Sequence, residues 1–191
     1  TAVLTVNTDF SAVDVDDQVV NLSRFSVFLP EKRDFFLQDS DMFRFGNIYR
    51  NGTPFFSRRI GLDEDNQPID LKLGIKLAGR IGNWNVGLLD VIQQRGDYGG
   101  DANLFVGRVS YNLLEDSSVG AMLTHGDPIT GAGNYTMGTD LTLKSKNLVT
   151  GKQAVMHAWL QKTSTDGLEG NDIAYGGRLQ LSASDGFSGT F

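Results

Sequence analysis

From Leu71 onward apolar and polar residues alternate along the chain. LKLGIKLAGRI places Leu71, Leu73, Ile75, Leu77 and Ile81 on one side and Lys72, Lys76 and Arg80 on the other. A period of two is the mark of a strand with unlike faces. The eleven residues also match the length of a strand crossing a bilayer at a tilt.

The pattern recurs, broken by turn residues. Trp84 to Ile92 follows Gly82-Asn83, and Leu104 to Asn112 sets Phe105, Val109 and Tyr111 against Arg108, Ser110 and Asn112. Val119, Ala121 and Leu123 alternate after the Glu115-Asp116 turn, and Tyr135 to Lys146 sets Tyr135, Met137, Leu141 and Leu143 against Asp140 and Lys144. Gln153 to Lys162 is the weakest case, because Val155 and Trp159 share it with Met156 and Leu160 on the opposite parity. Ile173 to Leu181 alternates again, against Arg178, Gln180 and Ser182, and Phe187 to Phe191 begins another strand. Upstream, Ala2, Leu4 and Val6 alternate with Thr1, Thr5 and Asn7. Short turns at Gly82-Asn83, Glu115-Asp116 and Ser184-Gly186 fall between Gly/Asp-rich loops at 93–102, 126–134 and 162–172, with an intermediate turn at 147–152. Short connections at one end and long ones at the other predict an all-β, antiparallel up-and-down meander, part of an outer-membrane-type barrel.

The stretch from Arg24 to Gly61 follows neither period. It holds eight of the twelve phenylalanines and seven of the seventeen Lys/Arg residues. Aromatic knots (Phe35-Phe36, Phe43/Phe45, Phe55-Phe56) are interleaved with Glu31, Lys32, Arg33, Asp34, Arg58 and Arg59. Aromatic bodies need burial, and the charges need partners or water. Residues 24–61 therefore read as an irregular, plug-like element packed on or in a single partial barrel domain spanning residues 1–191.

Charge position sharpens the picture. Lys72, Lys76, Arg80, Arg108, Lys144 and Arg178 fall on the faces opposite the aliphatic residues. In a soluble barrel these cations would sit in water around an aliphatic centre. In a membrane barrel the arrangement inverts, and they line the lumen. Sequence does not say which face is inside.

Composition narrows the classes. The 191 residues are 40% hydrophobic and 21% charged, an ordinary globular balance. A net charge of −6 argues against general nucleic-acid binding, which needs a basic face. With no cysteine there is no disulfide, thiolate metal site or thiol nucleophile. No apolar run reaches the length of a membrane helix, which says nothing about strands. A chain opening at Thr1 without methionine or signal peptide is expected to be a processed or excised piece.

Candidate chemistry is sparse. Glu31 and Asp34 form a carboxylate pair with Lys32, Arg33, Arg58 and Arg59 near enough in sequence to tune them, which a hydrolase could use. The competing reading is an ion-paired structural network, and it accounts for all six residues. No G-x-S-x-G elbow is present, and His125 and His157 lie on separate strands without an acid partner motif. Asp14, Asp16 and Asp17, and again Asp63 to Asn66, read as solvated turns; the second group lacks the glycine and distal glutamate of a calcium loop. No metal or cofactor is expected. Trp84, Trp159, Tyr111 and Tyr135 could stack sugars, and in a barrel they more simply form interfacial girdles.

Several blocks carry a family resemblance: Asn7 to Ser11, Asn21 to Phe25, Phe28 to Arg33 with Phe35 to Leu37, Phe43 to Gly46, Phe56 to Gly61 and Lys76 to Arg80. These resemble a bacterial family in which a carbohydrate-binding-family-9-like domain precedes a predicted outer-membrane β-barrel, some members being labelled membrane-associated hydrolases. The resemblance is strong over residues 7–92 and continues only as pattern. Thr8, Asp34 and Gln38 depart from the family's usual residues. It implies the bacterial outer membrane, contact with its lipid, and passage or capture of a solute, saccharide in class, through a lumen whose cations favour anionic or hydroxyl-rich ligands. It also implies further strands or a partner chain completing the barrel. The alternatives are a cell-surface hydrolase using Glu31 and Asp34, and a soluble β-barrel or sandwich that binds a ligand.

Overall fold

The computed structural model describes residues 1–8, 31–48, 52–63, 68–94, 99–114, 116–128, 130, 133–149, 152–170, 172–183 and 189–190. Nine strands form one antiparallel sheet in chain order. They are β1 (Ala2–Thr8), β2 (Leu71–Ile81), β3 (Trp84–Gln94), β4 (Asp101–Leu114), β5 (Ser117–His125), β6 (Asn134–Val149), β7 (Lys152–Thr165), β8 (Ile173–Ala183) and β9 (Gly189–Thr190). The meander is thus as the alternation predicts. It is an open sheet and not a closed barrel, since among the described residues β1 and β9 do not pair. Asp14, Asp16, Asp17 and Glu64 to Asn66 lie outside the described residues.

One face is covered and the other is not. Lys76 on β2 is 2% exposed, whereas its neighbours Ile75 and Leu77 are 45% and 48% exposed. The ladder extends this rule across the sheet, because residues directly opposite each other share a face. Lys76 pairs with Leu89, Leu89 with Val106 and Val106 with Thr124, all buried. Leu77 pairs with Leu88, and Leu123 with Met137, all exposed. Leu4 and Val6 of β1 continue the uncovered apolar face.

The start of β2 breaks phase. A bulge moves the pairing from Leu71↔Gln93 to Leu73↔Ile92, with Lys72 as the extra residue. Leu71 therefore leaves the aliphatic row expected of it and is wholly buried on the covered face. Lys72 is exposed and bridges to Asp101 at 2.7 Å.

The cover is the aromatic and charged segment. Its regular parts are a single helical turn, α1 (Asp34–Leu37), and two 3-10 turns at Ser40–Phe43 and Ser57–Arg59. Phe35, Phe36, Phe43, Phe45 and Ile60 form one hydrophobic cluster with Leu71, Leu89, Val91, Leu104, Val106 and Met122 of the sheet. Each buried phenylalanine contributes roughly 1.5–3 kcal/mol. The segment's own turns are too short to persist without the sheet. This also resolves β7: Trp159 packs under the segment while Met156 and Leu160 lie on the uncovered face. The apolar residues of one parity thus belong to the covered face and those of the other to the uncovered face.

Candidate functional site

The segment is tied first to itself. Glu31 accepts bonds from Arg33 Nε at 2.7 Å and Nη2 at 2.8 Å, from Ser57 Oγ at 2.7 Å, and from the Lys32 and Arg33 amides at 3.1 Å. Arg33 in turn donates to the Ser57 carbonyl at 2.7 Å and to the Ile60 carbonyl. The knot ties the described limb 31–48 to the described limb 52–61. Burial alone would raise the Glu31 pKa; the bonds and charge of Arg33, with the Ser57 hydroxyl, outweigh it and hold the carboxyl below its ordinary 4.5.

The sheet then grips the segment through its main chain. Lys76 Nζ donates to the Phe35 carbonyl and, at 2.7 Å, to that of Gln38, closing the C-terminal end of α1. Gln93 Oε1 accepts the Gly61 amide at 2.9 Å, and its Nε2 donates to the Pro128 carbonyl at 2.6 Å. Asp140 Oδ2 accepts the Gly46 amide at 3.1 Å, and Gln161 Nε2 donates to the Gly52 carbonyl at 2.8 Å. Arg80 adds an exposed bridge to Asp41 at 2.9 Å.

Aromatic rings fill sockets left by missing side chains. A Cβ at Gly74 would lie 3.1 Å from the Phe35 ring, at Gly87 3.0 Å from Phe43, and at Gly138 2.5 Å from Phe45. Gly46, at φ +60°, sits against Trp159, which is backed by Gly176. Cations stand over two of these rings, Lys76 over Phe35 at 5.2 Å and Arg108 over Phe45 at 5.6 Å, and Arg33 stands over Phe36 at 4.3 Å.

The residues singled out from sequence separate into groups. Glu31 and Arg33 do form a network, but Asp34 is an exposed residue of α1, and Glu31 spends both oxygens on Arg33 and Ser57. Lys32 joins through its amide alone among the bonds described at Glu31. Arg59 is exposed, and burial lowers the pKa of the half-buried Arg58. Lys76 and Arg108 are on the covered face but do not front an open lumen, because the segment lies over them. Lys144 is partly buried and bridges to Asp116 at 3.3 Å; Arg178 is exposed opposite His157. Trp159 is no girdle residue. Trp84 and Tyr111 do pair on the uncovered face, edge to face at 4.8 Å, and Tyr135 stacks on His125 at 4.2 Å. His157 Nδ1 meets Thr142 Oγ1 at 3.0 Å on the other face, so the two histidines cannot act together.

Sequence reasoning missed Asp140, Gln93, Gln161 and the socket glycines. The available signal was glycine on the parity opposite the aliphatic row, at Gly74 of β2, Gly87 of β3, Gly120 of β5 and Gly138 of β6. That parity would otherwise carry side chains standing off the sheet.

Residues 2–86 match the family model described as Domain of unknown function (DUF5916). No curated protein and no solved structure matches the chain.

Proposed function

We propose that this chain is a stretch of outer-membrane β-barrel wall that serves the passage or capture of a solute, with residues 31–48 and 52–61 seated on its lumen side. The observation that carries the reading is the inverted face pattern: aliphatic side chains uncovered, buried charges beneath a fitted segment. Exposed apolar area on this scale is a liability in water and a matched surface in hydrocarbon. Aromatic pairs bound it. Trp84 and Tyr111 lie at the short-turn end, and His125 with Tyr135 at the long-loop end. His125 is opposite Phe105 and Phe105 opposite Asp90, six residues along β3 from Trp84. At ~3.3 Å per residue that is about 20 Å along the strand. Among the outward residues whose side chains are described, the Asp, Lys and His side chains Asp90, Asp101, His125 and Lys162 all lie in the half nearer the long loops.

An unpaired strand edge does not persist in hydrocarbon. In this reading β1 and β9 are joined by further strands, of this protein or of another chain. The saccharide class of solute rests on the carbohydrate-binding-like companion domain of the family that the chain resembles. The occupied carboxylate of Glu31 favours a pinning role for it over hydrolysis.

Single cysteines in this cysteine-free chain test the wall. Leu77→Cys and Val109→Cys should resist a water-soluble maleimide in lipid vesicles and react once the vesicles are dissolved in detergent. A protein that stays monodisperse without detergent, with both cysteines freely reactive, refutes the proposal.

A further inference from the structure

The covering segment, a loop between β1 and β2, leaves the short-turn end of its face open. Burial along each strand shows where the cover thins. On β4 it falls from buried Arg108 through half-buried Ser110 to exposed Asn112. On β5 it falls from buried Gly120 to half-buried Ser118, and on β6 from buried Asp140 to half-buried Thr142. Half-buried His157 and exposed Arg178 hold the same level on β7 and β8.

These residues form a row. Asn112 is directly opposite Ser118, Ser118 opposite Thr142, Thr142 opposite His157, and His157 opposite Arg178. All five therefore share the charged face, two residues nearer the short turns than Asp140 and Trp159. Asn85 of β3 continues the row, since its amide donates to Ser110 Oγ and to Asn112 Oδ1, each at 3.2 Å. From β4 to β8 is four strand spacings, about 19 Å at ~4.8 Å each.

The chemistry of the row is narrow. From Asn85 through Ser110, Asn112, Ser118 and Thr142 to His157 each side chain is an amide, a hydroxyl or an imidazole, and none is aliphatic or acidic. Such groups both donate and accept, as the hydroxyls of a sugar do. They recur once per strand, which suits a ligand whose hydroxyls recur once per ring. An anion would call for guanidinium or ammonium groups, and in this row only Arg178 carries one. Charges nearby are matched within the protein: Asp140 accepts from Arg108 and the Gly46 amide, and Lys144 bridges to Asp116.

We infer that Asn112, Ser118, Thr142, His157 and Arg178, with Asn85 and Ser110 beside them, are a binding track for an uncharged oligosaccharide lying across the strands. The inference rests on the reading above, in which this face lines the passage, and names where on it the solute is held. Every side chain of the track belongs to the sheet, so binding needs no movement of the segment.

Trp159 reports occupancy. It stands two residues along β7 from His157, with its indole edge over Gly176 of β8, and Trp84→Phe leaves it the single tryptophan of the chain. That protein, in detergent micelles, is titrated with maltohexaose, cellohexaose and xylohexaose, and with glucose and sodium sulfate as references. At least one hexasaccharide is expected to give a saturable change in fluorescence with the same midpoint at low and high salt. Glucose should bind far more weakly, and sulfate should not compete. Ser118→Ala/Thr142→Val removes two hydroxyls from the track and should weaken binding roughly tenfold. Asn112→Ala, at the exposed end of the row, should weaken it too, and decides the matter if the double variant does not fold. No saturable change with any hexasaccharide, an unshifted midpoint in a folded variant, or displacement by sulfate overturns the track. Lipid protection at Leu77→Cys without saccharide binding defeats the track alone, whereas loss of that protection defeats the wall.

Discussion

Arg108 on β4 and Asp140 on β6 are joined across an intervening strand, with bonds of 2.7 and 3.0 Å between guanidinium and carboxylate. Both are 8% exposed. The pair can close because the residue between them on β5 is Gly120, where a Cβ would stand 2.7 Å from Arg108 Nη2 and 2.9 Å from Asp140 Oδ1. Asp140 Oδ2, which accepts from Arg108 Nη2, also accepts the Gly46 amide. One glycine thus links the stability of the sheet to the seating of the segment.

Gly120→Val should separate the pair and leave two buried charges badly matched, costing about 3–5 kcal/mol. Gly79→Ala, at a position with nothing within 4 Å of the new Cβ, should cost no more than about 0.5 kcal/mol. Urea unfolding of the two variants in the same detergent checks the contrast.

Gly138→Ala puts a methyl group 2.5 Å from the Phe45 ring. Overpacking of this kind costs roughly 1–3 kcal/mol. Phe45→Leu should recover part of that loss, so a double-mutant cycle gives a favourable coupling between the two changes. Strict additivity would mean that ring and glycine do not meet.

Lys76→Met removes the donor to two carbonyls at the end of α1, each costing about 1–3 kcal/mol when left unmet in a buried site. The loop should become a protease target while hydrogen exchange in β2 and β3 stays slow. Lys76→Arg should not restore the wild type, because a planar fork cannot occupy the place of a compact ammonium.

The Glu31 knot is acid-sensitive in a definite direction. Its folded pKa is lowered, so its stabilising contribution is complete above the unfolded value near 4.5 and is lost as pH falls through the folded value. Glu31→Gln should be less stable than wild type at neutral pH, with the difference shrinking below about pH 4.5. A difference that grew on acidification would show that Arg33 does not hold the carboxyl in its charged form.

Local alternation was enough to place the strands. β2 begins and ends where the pattern does, and β3, β4, β6 and β8 depart from expectation by a few residues at their ends. Hydrogen-bonding reach is local and side-chain direction has a fixed period, so these features are written residue by residue. The Lys72 bulge was not legible, because nothing in LKLGIKL marks the extra residue that sends Leu71 under the segment. Nor was Asp140, one polar residue among several on β6, until β4 and β5 brought Arg108 and Gly120 beside it.

By itself, then, the sequence determined an antiparallel meander with an aliphatic and a charged side, and an aromatic segment in need of cover. Only the tertiary structure decided that the aliphatic side is uncovered, and that the segment lies over Lys76 and Arg108 with its rings in the Gly74, Gly87 and Gly138 sockets. The reason is physical. A period of two says which residues share a face, while what packs against that face depends on chain far away in sequence, and the choice belongs to shape, burial and charge acting together.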